Sequence, residues 1–142
     1  MGNEKPRFLK IDNGTIYDSV TSVTWMANDS LLELGKEVSY AEAEQYAEQA
    51  NEKKVGDYSD WRIPTIHEAS SIFDKEKLNK DSKGGDIFLD SVFPPGAANC
   101  TWTSSTRGKE AQIMFYANGC PYWYEKNDKT ISHSVRLVRR DA

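Results

Sequence analysis

Few residues in this 142-residue chain have the types and spacing that chemistry needs: two histidines, two cysteines and a short serine-rich run. His67 and His133 stand far apart, and neither belongs to a His-Glu-x-x-His pair that would set two imidazoles on one helix face for zinc. Cys100 and Cys120 lack the short spacing of a metal clip. There is no Gly-x-Ser-x-Gly elbow and no phosphate-cradling glycine loop. Ser104 and Ser105, in Trp102-Thr103-Ser104-Ser105, read as hydrogen-bonding neighbours in a strand rather than nucleophiles. The expectation is therefore no catalytic residue, no metal and no cofactor. The cysteines admit two readings. A Cys100–Cys120 disulfide would close a loop of roughly 20 residues and add about 3 kcal/mol in an oxidising compartment. Two reduced thiols would instead pack as small apolar groups.

Recognition chemistry is better represented. Tyr122, Trp123 and Tyr124 are consecutive, and strand neighbours point to opposite faces, so at least one of the three is expected at the surface. An aromatic ring with a polar tip suits stacking on a sugar or anchoring a protein partner, although it also serves simply to cover a sheet face. Arg107 and Lys109, in the turn before "AQIMFY", add positive charge that would meet an anionic glycan; Arg139 and Arg140 add more near the end.

A second constellation, "YSDWRIPTIHE", has the marks of a corner. Pro64 confines Ile63 to extended geometry, and Thr65 can cap the helix that follows, with Glu68 at its third position. Trp61 is then expected in the core and Arg62 on a carboxylate or on backbone carbonyls, with Asp60 and Glu68 as candidate partners. An Arg62 open in a cleft would instead be an anion clamp. Trp61, Arg62, Pro64, Thr65 and Glu68 are assigned to structure on this reading.

The elements that must position these groups follow from pattern. Alternation around Asn13-Gly14 predicts a hairpin of Phe8 to Ile11 with Thr15 to Tyr17, and a third strand over Val23 to Met26. Ser39 and Glu42 form a capping box ahead of an apolar stripe of Tyr40, Ala43, Tyr46, Ala47 and Ala50, with Gly56 as the stop signal. Thr65 to Phe73 repeats the device with Ile66, Ala69, Ile72 and Phe73. The stretch 74–86 reads as a solvated loop. "CTWTSST", "AQIMFYANG", "PYWYEKND" and "SHSVRLVRR" are strand-like runs parted by turn residues, which predicts an antiparallel meander. The sum is one α+β domain over residues 1–142, its core about 8–140, with two early helices and a sheet uniting the two ends.

Composition sets outer limits. A net charge of −4 gives no general attraction to nucleic acid or anionic lipid. No apolar run approaches the roughly 20 residues of a membrane span, and "MGNEKPRFLK" has no signal-peptide apolar region. Met1-Gly2 reads as an added start in place of a removed leader; Pro6 fits a myristoylation pattern poorly.

The ordered pieces "DNGTIYDSVTSVTWM", "SYAEAEQYAEQ", "YSDWRIPTIHEASSIFD", "CTWTSST", "FYANG" and "SVRLVRR" resemble the Legionella collagen-like protein C-terminal domain family, bacterial extracellular domains of unknown or adhesive function. The resemblance covers Gly14 to Arg139 and adds Trp102 and Arg136, in its weaker motif pieces, to the structural residues. "RIPTIHE" is also similar to a motif of the formylglycine-generating and sulfatase-modifying family. Both families imply a C-type-lectin-like fold: two helices on a twisted, loop-rich antiparallel sheet with its termini near one another. The calcium loops of sugar-binding C-type lectins are missing; "EKNDK" keeps only Asn127-Asp128. The resulting expectation is a non-catalytic, extracytoplasmic binding or adhesion module for a glycan or surface protein, with oligomers allowed. The competing readings are a cysteine-dependent oxidase and a structural display domain of a larger assembly.

Overall fold

The computed structural model describes residues 6–11, 13–128 and 133–141, so the Met1–Lys5 start and Ser132 of the last strand-like run lie outside it. The architecture is α+β. Strand β1 (Phe8–Ile11) pairs antiparallel with β2 (Thr15–Asp18), and Gly14, at φ +83°, supplies the left-handed turn residue between them. Strand β3 (Val23–Met26) follows on β2. The last strand, β9 (Val138–Arg140), returns to pair with β3, so that Trp25 faces Val138. The sheet order β1-β2-β3-β9 thus unites the two ends of the chain, as the sequence pattern predicts.

Three α-helices form among the described residues where two are expected. Helix α2 (Tyr40–Glu52) and helix α3 (Ile66–Ser71) both carry complete capping boxes, Ser39 with Glu42 and Thr65 with Glu68. The unexpected α1 (Ser30–Leu34) is a single turn, opened by the Asp29 carboxylate accepting from Leu32 N–H at 2.9 Å and closed by Gly35 at φ +71°. The stretch 74–86 is also more ordered than a solvated loop. It holds a two-residue ribbon, β4 (Asn79–Lys80) with β5 (Asp86–Ile87), because the buried Asn79 carboxamide donates to Phe93 O at 2.8 Å.

Strands β6 (Cys100–Arg107), β7 (Glu110–Phe115) and β8 (Pro121–Glu125) form the meander, with a register shift between Trp102 and Thr106. The fourth strand-like run does not extend it. Residues 133–137 pass between the sheets, accepting from Trp102 N–H at Ser134 O and from Met26 N–H at Leu137 O, before β9 joins the other sheet.

Apolar burial is organised in two clusters. One packs α2 on the inner face of β6 and β7 through Ala43, Tyr46, Trp61, Trp102, Ile113 and Leu137. The other joins β2 and β3 to α3 and the 87–93 segment through Trp25, Ile72, Leu89, Phe93 and Met114. Arg136 is buried beside them, donating to the carbonyls of Met26 and Ala27 and lying 5.0 Å over the Phe93 ring. Burial lowers its pKa from the ordinary guanidinium value, against the opposing pull of Asp29. No helix among the described residues is long and apolar enough to cross a membrane.

Candidate functional site

The corner between α2 and α3 is held from every side. Trp61 is 3% exposed, and its Nε1 donates to Val55 O at 3.0 Å. The Asn51 carboxamide, in the last turn of α2, accepts from Trp61 N–H at 2.6 Å and donates to Trp61 O at 3.0 Å, imitating a strand partner. On the opposite edge, Arg62 exchanges both backbone hydrogen bonds with Val138 of β9. Pro64 O accepts from Ser104 N–H of β6 at 2.9 Å. Two elements and two strands therefore converge on five residues.

The Arg62 guanidinium makes a two-pronged contact with Glu68, at 2.8 Å on each oxygen, while Glu68 Oε1 also accepts from Thr65 N–H. Burial pushes the Glu68 carboxyl up, but these hydrogen bonds outweigh it and hold the group below its ordinary range. Asp60, the other candidate partner, instead takes Arg139 at 2.7 Å. The outer side of Arg62 is not covered: its side chain is 42% exposed. It forms part of the wall of a groove of about 470 Å³ that runs between α2 (Tyr40, Glu44, Ala47, Glu48) and Trp61, Ile63, Thr65 and Ser104.

Strand β8 is arranged differently. Its register sets Tyr122 opposite Ile113 and Tyr124 opposite Ala111, on the core-facing side, and Trp123 opposite Gln112 on the other. Tyr122 and Tyr124 both meet Phe115, at ring distances of 5.6 and 5.9 Å. Tyr122 remains 46% exposed, with its hydroxyl accepting from Asn118 Nδ2. On the far face, the Arg107 guanidinium lies 4.1 Å over the Trp123 ring and is steadied by Glu110 at 2.9 Å. The structure thus brings Arg107 to Trp123 and separates both from the two tyrosines. Lys109 sits in the exposed β6–β7 turn and helps line a cavity of about 400 Å³ with Glu125, Lys126 and Asn127.

The disulfide that the cysteine count allows is not formed. Cys100 faces Phe115 across β6–β7, and Phe115 N–H in turn donates to Cys120 O on its other side. The two cysteines therefore stand two strand spacings apart, roughly 10 Å. That exceeds the roughly 7 Å Cα separation a disulfide spans. Cys100 is buried, Cys120 exposed. Burial pushes the Cys100 thiol up, away from the thiolate that an oxidase reading requires. His67 is on the surface of α3. His133 is buried between the rings of Trp102 and Tyr124, with Asp128 Oδ1 at 3.5 Å from its Nε2. Among the described residues no group of three or more His, Cys, Asp or Glu is placed to hold a metal ion.

Sequence reasoning missed Asn51, Glu44 and Glu48. Their signal was a second stripe on α2, Tyr40-Glu44-Ala47-Glu48-Asn51, beside the more apolar one. Among known proteins, the family model described as the Lcl C-terminal domain matches residues 14–139. No curated protein matches the chain.

Proposed function

We propose, from the premise that the chain belongs to the Lcl C-terminal domain family, that it is a single-domain, non-catalytic binding or adhesion module of a bacterial surface protein, displayed outside the cytoplasm, that recognises a glycan. The supporting observation is the aromatic edge of β8, the outer strand of its sheet. Tyr122 presents a half-open ring whose orientation is fixed by Phe115 and Asn118, a platform for the apolar face of a sugar. Across the strand, Trp123 supports Arg107 from below, so the guanidinium, with Lys109 nearby on the turn, offers donors to sugar hydroxyls or acidic substituents. In this reading Trp123 positions Arg107 while Tyr122 meets the ligand.

A glycan array probed with the full chain tests this, repeated with Tyr122→Ala, Arg107→Ala and Trp123→Ala. Selective retention of one glycan class, lost with Tyr122→Ala and weakened by the other two, is the expected result. An array without retained glycans, or retention indifferent to all three substitutions, sinks the assignment. A surface protein is the second reading, favoured by the outer edge of β8, which no strand among the described residues pairs and which a partner strand can extend. Light scattering coupled to size exclusion separates that partner from a second copy or an assembly role.

A further inference from the structure

The groove beside the corner contains a backbone group that the fold leaves unanswered. In an extended chain, residues two apart direct their N–H and C=O to the same edge. Trp61 and Ile63 share the edge that faces α2, and Arg62 faces β9. Asn51 satisfies Trp61 on that edge. The Ile63 N–H makes no hydrogen bond to a described residue, and its carbonyl has only a long 3.5 Å contact from Arg62 Nη1. A backbone N–H that the protein does not pair is answered by water or by a ligand. Ile63 lies in the wall of the groove of about 470 Å³, so such a ligand has room to reach it.

The charges around the groove narrow what would answer it. Arg62 is neutralised by Glu68. Glu44 and Glu48, one helical turn apart on the opposite wall, have no hydrogen bond or ion pair among the described residues, so the open charge of the groove is negative. Between the walls the lining is apolar, from Ala47, Trp61 and Ile63. From Tyr40 to Asn51 the helix runs roughly 16 Å, the length of about five residues of extended chain.

We propose that this groove binds an extended peptide segment of a partner protein, carrying a lysine or arginine. Its backbone carbonyl accepts from Ile63 N–H, continuing the bridge that Asn51 makes to Trp61. Its basic side chain lays its methylene stem along Ala47 and Ile63 and ends between Glu44 and Glu48. The site is separate from the β8 edge and does not depend on glycan recognition there.

The test is a titration of the full ¹⁵N-labelled chain with acetyl-Thr-Val-Lys-Val-Thr-amide, followed by NMR, beside the same peptide with glutamate in place of lysine. The lysine peptide is expected to move the Ile63 and Asn51 amide signals saturably. The glutamate peptide should bind at least fivefold more weakly, and the surface double variant E44Q/E48Q should weaken the lysine peptide three- to tenfold, the effect of losing two partly exposed charge contacts. Without peptide, the Ile63 amide should exchange with solvent faster than the bonded Arg62 amide, and slow on binding. Tyr122→Ala should leave this titration unchanged, which keeps failure here distinct from failure of the β8 assignment. No movement at Ile63 up to millimolar peptide overturns the proposal. So does equal binding of both peptides, indifference to E44Q/E48Q, or movement of the same amides by methyl glucoside alone.

Discussion

Two tryptophan–arginine pairs, Trp61 with Arg62 and Trp123 with Arg107, serve this molecule in opposite ways. At the corner the indole goes inside and the guanidinium closes on Glu68, a carboxylate only 7% exposed. On β8 the indole is half-buried on a sheet face, and the guanidinium above it is tied to Glu110, which is 37% exposed. The residue types are the same; what differs is what lies behind them. Trp61 has α2 on one side and the Arg62–Val138 bridge beside it, and its own N–H, C=O and indole N–H all take partners from the protein. Trp123 is only partly covered, and the arginine above it is 58% exposed, so its ion pair with Glu110 is open to solvent. An aromatic–arginine pair is therefore architecture when its carboxylate is buried and a surface device when its carboxylate is solvated.

The widest separation between the two pairs should come from removing the indoles. Trp61→Ala is expected to cost about 3–5 kcal/mol in chemical denaturation, and Trp123→Ala under about 1 kcal/mol; equal losses would break the comparison. Removing the arginines comes next. Arg62→Ala leaves Glu68 buried without its main partner and should cost about 1–3 kcal/mol, discounted here for the exposed guanidinium. Arg107→Ala should stay within about 0.5 kcal/mol.

Acid sharpens the same contrast. Because Glu68 titrates below its ordinary 4.5 in the folded protein, its contribution is complete above that pH and disappears as pH falls through the folded value. Asp18, raised by burial but lowered further by Arg7 and Thr21, acts with the same sign. Stability of the wild type should therefore decline below about pH 4.5. The decline should be shallower in Arg62→Ala and unchanged in Arg107→Ala, read from denaturation midpoints across pH. The smallest effect concerns the thiols. A maleimide should label Cys120 alone in the native protein and Cys100 only on unfolding, and reductant should leave the melting temperature where it was.

Much of the fold was legible because its signals are local. Both capping boxes lie within four residues of sequence, and Asn13-Gly14 marks its hairpin without help from the rest of the chain. What escaped depends on distant partners. Helix α1 is too short to show a period and stands because Ser134 Oγ and Ala98 N–H complete the hydrogen bonding of its capping Asp29. The β4–β5 ribbon is anchored by one buried asparagine in a charged stretch, which composition alone reads as solvated. The corner's connection to β9 could not be read either, since Arg62 and Val138 are brought together only by the whole topology. The same limit concealed the groove. Its walls come from one helix stripe, one extended segment and Ser104, and no sequence window contains all three.

The pairing of β3 with β9 also bears on how the chain reaches this state. Until Val138 emerges from the ribosome, Trp25 lacks its neighbour in the sheet and Arg62 its bridge, so the earlier segments cannot close their shared interior. Such sequence-distant contacts slow folding and leave apolar surface uncovered in the meantime. Deleting Val138 to Arg140 should therefore do disproportionate harm during biosynthesis, yielding aggregates or substrates for proteases in place of a slightly weakened domain.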